Sequence, residues 1–332
     1  MNDDGSINEQ YEIANDEESW KAFGSRYMEL KPEIALEVST TGKYVARMLR
    51  DIGFSVHIAD PIRLALIFNN AKKNDKEDSY KLANLLRLQE LPEVHLPSKF
   101  SDDLRSIVRY RKSLGEEITM IKNRVHAILT SHAIIVLPAD IFGRRDLGWI
   151  DSGSHKLPTA ERIVMSDLLS HASDLMERTI EDQIAGMLSG NIDARLLMSI
   201  SGINVYSAAC IIAEIDDDSR FCSKEKLASY AGLVSRQDQS GSVDRRGHIT
   251  KHGPSLLRFV LINAGHSVFK YSKSVRLKYL SLVRRLGKNR SIVAIARHLI
   301  WIRNNAFHFK LSLQFIPYDP VSSRKPYGLC IR

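Results

Sequence analysis

Three groups of residues in this 332-residue chain are of types that act on phosphate esters. Ser240 stands between Gln239 and Gly241, and a serine beside a glycine can bring its hydroxyl close to a bulky substrate. Arg236 precedes it, Arg245, Arg246 and Lys251 follow, and Arg258 lies shortly beyond, all cations able to neutralise phosphate charge. A serine hydroxyl is a weak nucleophile at neutral pH, so a transesterification needs a base, a metal or a dense positive field to stabilise its transition state. The grouping reads as a nucleophile aimed at DNA. Asp75 and Asp78 lie three residues apart at a helix start, on one face, where both could share a metal ion. Glu37 sits in an otherwise apolar strand, where a lone carboxylate costs free energy unless it meets solvent or a cation.

Each group has a plainer reading. Taken alone, Gln-Ser-Gly is a turn, Glu37 a solvent-facing strand residue, Asp75 a helix cap and Asp78 a surface charge. Tyr230 is a rival nucleophile, but the run Lys226-Leu227-Ala228-Ser229-Tyr230 suits a partly buried core tyrosine. The chain also lacks a His-x-x-Arg element near a C-terminal tyrosine, since His298 is followed three residues later by Trp301. His248 and His252 are spaced as two ligands on a helix would be, yet Gly247 and Gly253 argue for a loop and against zinc.

The elements that must position these residues fall into distinct stretches. Residues 34–58 read as a βαβ unit: a strand at 34–38, an amphipathic helix from Gly42 to Ile52 ended by Gly53, and a strand at 54–58. That pattern predicts an α/β domain with a partly parallel sheet. Asp60-Pro61 starts a further helix, and Asn74 or Asp75 caps the next. From Asp102 to His132, Leu104, Ile107, Arg111, Leu114, Ile118, Ile121, Val125 and Ile128 alternate in steps of three and four, a coiled-coil seam interrupted at Arg111. The seam would fold against the stretch from Thr159 to Leu188 or engage another subunit, and self-association is the expectation. Farther on, Ile200-Ser201-Gly202-Ile203-Asn204 and the helix after it look like a helix-hairpin-helix, in which Gly202 lets backbone amides meet one phosphate; a plain helix turn is the alternative. Three basic helices begin near Pro254, Ser274 and Lys288, and an irregular tail follows from Ser312.

Charge is distributed unevenly. Residues 1–60 hold 6 Lys/Arg against 12 Asp/Glu, whereas residues 241–310 hold 15 Lys/Arg and one acid, Asp244. A basic block within a regularly apolar segment suits a folded surface facing a polyanion, with counterion release driving association. The three cysteines, Cys210, Cys222 and Cys330, form no metal-ligand spacing, which argues against a disulfide framework or a zinc site. An acidic, polar start and the lack of a long apolar run predict a cytoplasmic protein without membrane contact.

The framework from Tyr230-Ala231-Gly232-Leu233 through Gln239-Ser240-Gly241 to Ile249-Thr250-Lys251 resembles the C-terminal domain of the IS-one-ten family of bacterial insertion-sequence transposases, relatives of the pilin-gene DNA invertases. Lys73-Asn74-Asp75-Lys76-Glu77-Asp78 with Leu82-Ala83 is similar to the acidic motif of that family's RuvC-like domain. The resemblance covers most of residues 5–310 and implies a four-part layout: an RNase H-like acidic domain at 1–97, a helical coiled-coil region at 98–190, a mostly helical transposase domain at 191–311 and a tail at 312–332. It implies that Glu37, Asp75 and Asp78 are three of four acidic ligands for Mg²⁺ and that Ser240 attacks the phosphodiester. The fourth ligand and the first strand that carries it have no counterpart here, so the chain is expected to be truncated at its N-terminus. Double-stranded DNA, a structured guide RNA of the element and further copies of the chain are the implied partners. The alternatives are an inactive remnant that only binds nucleic acid and a metal-dependent nuclease of the Holliday-junction type.

Overall fold

The computed structural model describes residues 1–39, 41–68, 74–134, 156–176, 180–240 and 243–308, and the chain divides into two units, Met1–Pro97 and Ser98–Arg332. Lys73, Gly241, the loop at 151–154 and the tail from residue 312 lie outside the described residues.

In the first unit, α1 (Glu17–Tyr27) precedes β1 (Ile34–Glu37), α2 (Gly42–Ile52), β2 (Val56–Ala59), α3 (Pro61–Ile67) and α4 (Asp75–Arg87). β1 and β2 pair in parallel, Ile34 opposite Val56 and Glu37 opposite Ala59, with α2 as the crossover. Gly53 ends α2 at φ 111°, its amide donating to the carbonyls of Leu49 and Arg50, a conformation that favours glycine. The amphipathic pattern buries Val45, Ala46 and Leu49 against Phe54, Val56 and Ile58, with Trp20 and Phe23 of α1 packed alongside. At the other edge of β2, the Val94 amide donates to Ile58 O at 2.7 Å and the Asp60 amide to Pro92 O at 2.8 Å, so residues 92–94 cover that edge. His57 Nδ1, 2.7 Å from the Glu93 carboxylate, fastens the same segment. β1 pairs with no strand but β2 among the described residues, and α4 packs against it.

The second unit is mostly helical. It comprises α5 (Lys99–Ser131), α6 (Thr159–Met176), α7 (Ile180–Met187), α8 (Ile192–Met198), α9 (Val205–Ile215), α10 (Lys224–Tyr230), β3 (Ser235–Ser240), β4 (Val243–Ile249), α11 (Ser255–Tyr271), α12 (Lys273–Leu286) and α13 (Lys288–His308). The 33 residues of α5 extend about 50 Å at 1.5 Å per residue. Its apolar seam is covered within the chain: Val125 and Leu129 pack on Met165, Leu114 and Ile121 on Ala172 and Leu175, and Leu104 and Val108 enter the main core with α9. The expectation that the seam serves self-association is therefore corrected; α6 already buries it. Arg111 interrupts the seam because its guanidinium lies 4.6 Å from the Tyr206 ring centre and pairs with Glu181 at 2.8 Å.

The core of this unit joins α5, α7, α8 and α9 to α10, α11 and α13, and α9 is buried nearly throughout. Within α9, the buried Glu214 pairs with Arg109 at 2.8 Å and Arg105 at 3.6 Å, while Arg105 also donates to the carbonyls of Ala213 and Glu214. Burial pushes the Cys210 thiol up to about 12, so it stays protonated and unreactive. Around Ser240 the expected turn is a β-hairpin. Its strand Ser-Arg-Gln-Asp-Gln-Ser is polar at every position, so no apolar alternation announced it; hydrogen bonds between the strands hold it instead.

Candidate nucleic-acid interface around Ser240

The hairpin is an arm. Its register pairs Gln237 with Arg246, Asp238 with Arg245, Gln239 with Asp244 and Ser240 with Val243. Because side chains alternate across a strand, Arg236, Ser240 and Arg245 share one face, and Gln237 and Gln239 share the other. Gln237 Nε2 donating to Gln239 Oε1 at 3.5 Å agrees with this division. Ser240 and Arg245 thus stand as diagonal neighbours roughly 7 Å apart, within reach of one phosphate group. Ser240, Arg236 and Arg245 are all exposed. A shift in register between Ser235 and Gln237 puts Gly247 beside Arg236, where a Cβ would lie 3.7 Å from the arginine's own Cβ.

The feet of the arm are held tightly. The Thr250 amide donates to Val234 O at 2.9 Å and the Lys251 amide to Gly232 O at 3.3 Å, continuing the ladder below the strands. Gly253, at φ 80°, passes so near Tyr230 that a Cβ would lie 1.9 Å from its carbonyl oxygen; at Gly232, φ 67°, a Cβ would lie 2.2 Å from His252 O. Only glycine fits either place. Arg258 Nη1 donates to Ala231 O at 3.4 Å and His252 O at 3.3 Å, tying both feet to α11. Expected as a phosphate contact, Arg258 has its guanidinium engaged inside the protein. Lys251 is exposed at the foot, at φ 56°.

The remaining sites are as follows. The Tyr230 hydroxyl donates to Glu214 O at 3.0 Å and its ring packs on Phe221, an arrangement that occupies the rival nucleophile. Gly202, at φ 97° between α8 and α9, approaches α11 so closely that a Cβ would lie 2.9 Å from the Ser267 Cβ; packing accounts for the glycine without a phosphate. The first turn of α9 is capped by Asn204, whose side chain accepts from the Ser207 amide at 2.8 Å.

The acids lie in the first unit. Glu37 ends β1 and is exposed, so its carboxylate is solvated. Asn74 caps α4 by accepting from the Lys76 amide at 3.2 Å, and Asp75, Glu77 and Asp78 occupy the first turn, favourable against the helix dipole. Lys81 pairs with Asp78 at 3.4 Å and Glu77 at 3.7 Å. Among the described residues no three His, Cys, Asp or Glu side chains are grouped to hold a metal ion. Spacing along the chain does not announce the lysine that engages Asp78.

Both units match known proteins in sequence. Residues 194–280 match the profile of the Transposase IS116/IS110/IS902 family, and residues 1–134 match that of the DEDD transposase domain of IS110 elements. The chain belongs to the IS110 family of transposases. A Sinorhizobium fredii protein is 24% identical over 272 residues, 80% of this chain and 64% of its own length. The transposase for insertion sequence element IS1111A of Coxiella burnetii is 23% identical over 245 residues, 70% of this chain and 66% of its own. The pilin gene-inverting protein of Moraxella lacunata is 34% identical over 115 residues, 34% of this chain and 36% of its own. No described helix is long and apolar enough to cross a membrane.

Proposed function

We propose that this member of the IS110 family cuts and rejoins DNA strands of an insertion sequence with Ser240 as nucleophile. The exposed serine at the tip of a firmly footed arm, on the same face as Arg236 and Arg245, supports this reading most. The Ser240 Oγ forms a bond to phosphorus, the bond from phosphorus to one sugar oxygen breaks, and the proton lost by the serine is balanced by the one taken up at the leaving oxygen. The phosphoserine link conserves the energy of the broken bond, so a second sugar hydroxyl can displace the enzyme without ATP. Arg236 and Arg245 offset charge on the phosphoryl oxygens as they gain it. Lys251, at the foot, and Arg246, by resemblance, contact flanking phosphates.

In this reading the first unit is RNase H-like, and the DEDD class implies dependence on a divalent metal, Mg²⁺ by resemblance, with Glu37, Asp75 and Asp78 as its ligands. A structured guide RNA and other copies of the chain complete the assembly. The ungrouped acids favour a second reading, a chain that binds nucleic acid without performing chemistry.

The experiment incubates the full chain with duplex DNA carrying an element end and Mg²⁺, then searches for protein covalently linked to DNA under denaturing conditions. An adduct mapped by mass spectrometry to Ser240 and lost in Ser240→Ala is expected. Cleavage that survives Ser240→Ala would overturn the proposal in favour of a nuclease; binding with neither adduct nor cleavage would favour the second reading.

A further inference from the structure

We infer that the outward face of α12, together with the corner where α12 meets α13, is a second grip on the DNA backbone, separate from the serine arm. The inference rests on the reading that DNA is the substrate, but not on the serine chemistry.

Lys273, Arg276, Arg284, Arg285, Lys288 and Arg290 are all exposed, and the chain has no Asp or Glu between Arg245 and Tyr318. None of the six has a carboxylate within ion-pair distance among the described residues. Several described helices begin with acids that suit the positive end of the helix dipole, among them Glu17 and Glu18 in α1, Asp75, Glu77 and Asp78 in α4, and Glu181 and Asp182 in α7; α2, α3 and α9 lack such an acid, but none of those three starts on a lysine or arginine. α11, α12 and α13 have no acid in the first turn, and α12 and α13 start on Lys273 and Lys288. Positive charge beside an unneutralised helix start costs free energy in the free protein. An external polyanion removes that cost at both helix starts at once.

The geometry fits an extended strand of phosphates. Val275, Tyr279 and Leu282 form the inner face of α12, with Tyr279 stacked on Phe269 at 4.3 Å, so the helix is anchored from behind. Lys273, Leu277, Leu280 and Arg284 recur at steps of four, three and four along the outer face, a line of about 16 Å that spans two to three phosphates of one strand. Gly287, at φ 78°, then turns the chain so that Lys288 and Arg290 follow Arg284 and Arg285 directly. Leu277 and Leu280, 62% and 49% exposed, add apolar contact within a cationic rim. A basic helix with two outward leucines could also rest on an anionic membrane. The six cations against two leucines, and the membership of a transposase family, favour nucleic acid.

The test measures binding of the full chain to a fluorescent 30-base-pair duplex between about 50 and 300 mM KCl. Lys273→Gln, Arg276→Gln, Arg284→Gln and Arg285→Gln combined should flatten the slope of log affinity against log salt by about 3 to 4, each phosphate contact contributing roughly 0.9. Ser240→Ala should leave the slope as it was while abolishing the covalent adduct. Lys278→Gln, whose ammonium lies 3.1 Å from His298 Nδ1 on the flank of the helix, should change it little. Should the combined variant lose its helical circular dichroism, the single variants Lys273→Gln and Arg284→Gln carry the same expectation at about 0.9 each. An unchanged slope overturns this inference and leaves the serine reading intact. Unchanged DNA binding with lost binding to phosphatidylserine vesicles overturns it in favour of a membrane. A chain that binds no duplex at any salt removes both readings together.

Discussion

Several cations of the first unit and of α5 are answered by acids close by, and six exposed cations of α12 and the start of α13 are not, among the described residues. Lys21 meets Glu17, Arg26 meets Glu9, Lys81 meets Glu77 and Asp78, and Arg111 meets Glu181. Lys273, Arg276, Arg284, Arg285, Lys288 and Arg290 have no such partner among the described residues. Exposed ion pairs add little stability, typically less than about 1 kcal/mol, so the contrast is a matter of partners more than of folding. The paired cations need no outside partner, and the unpaired ones are those that the proposed DNA contact would engage.

The harshest way to probe this contrast is to dislodge the arm that joins the two kinds of surface. Gly253→Ala places a Cβ against Tyr230 O at a φ that disfavours alanine, and should cost about 3 kcal/mol or more, read as a lowered denaturation midpoint together with loss of adduct formation. Next in size is Glu214→Ala, which leaves the nearly buried Arg105 without its carboxylate; about 3 kcal/mol should be lost by urea denaturation, with the salt slope of DNA binding unchanged. A smaller effect sharpens the comparison directly. Asn289→Glu supplies α13 with the first-turn acid it lacks, so the free protein should gain about 0.5 kcal/mol while affinity for DNA falls, opposite signs from one substitution. If both rise together, the idea that α13 is left unneutralised for a ligand fails.

The smallest effect concerns pH. Burial, with Lys278 close by, holds the pKa of His298 below its ordinary value of 6.5. The native state therefore resists a proton that the unfolded chain accepts, and the stability from the neutral ring is fully present above pH 6.5 and declines as the pH falls below it. His298→Gln should flatten the pH dependence of the melting temperature below the ordinary histidine value of 6.5, and an unaltered profile would assign that dependence elsewhere.

What could be read from residues alone followed from local rules. Gly53 after an amphipathic stretch marked the end of α2, Asp60-Pro61 marked the start of α3, and the three-four spacing from Leu104 to Ile128 marked α5. Arg111 in that seam was a visible anomaly, and Glu181 and Tyr206 explain it only in three dimensions. Glu214 left a similar mark, a lone acid in Ile211-Ile212-Ala213-Glu214-Ile215, that drew no attention because its arginines lie more than a hundred positions away. The arm escaped notice because neither of its faces is apolar, so the alternation that announces a strand is missing. Whether three acids assemble depends on backbone placement and on competitors such as Lys81, which spacing along the chain does not encode.

The clamped feet of the hairpin also govern how its serine can travel. Gly232, Gly253 and Arg258 leave the arm no loose joint at its root, so Ser240 is carried as a tooth is carried by a gear. On the reading that Ser240 is the nucleophile, its hydroxyl moves with the helices on which the hairpin stands rather than on a hinge of its own.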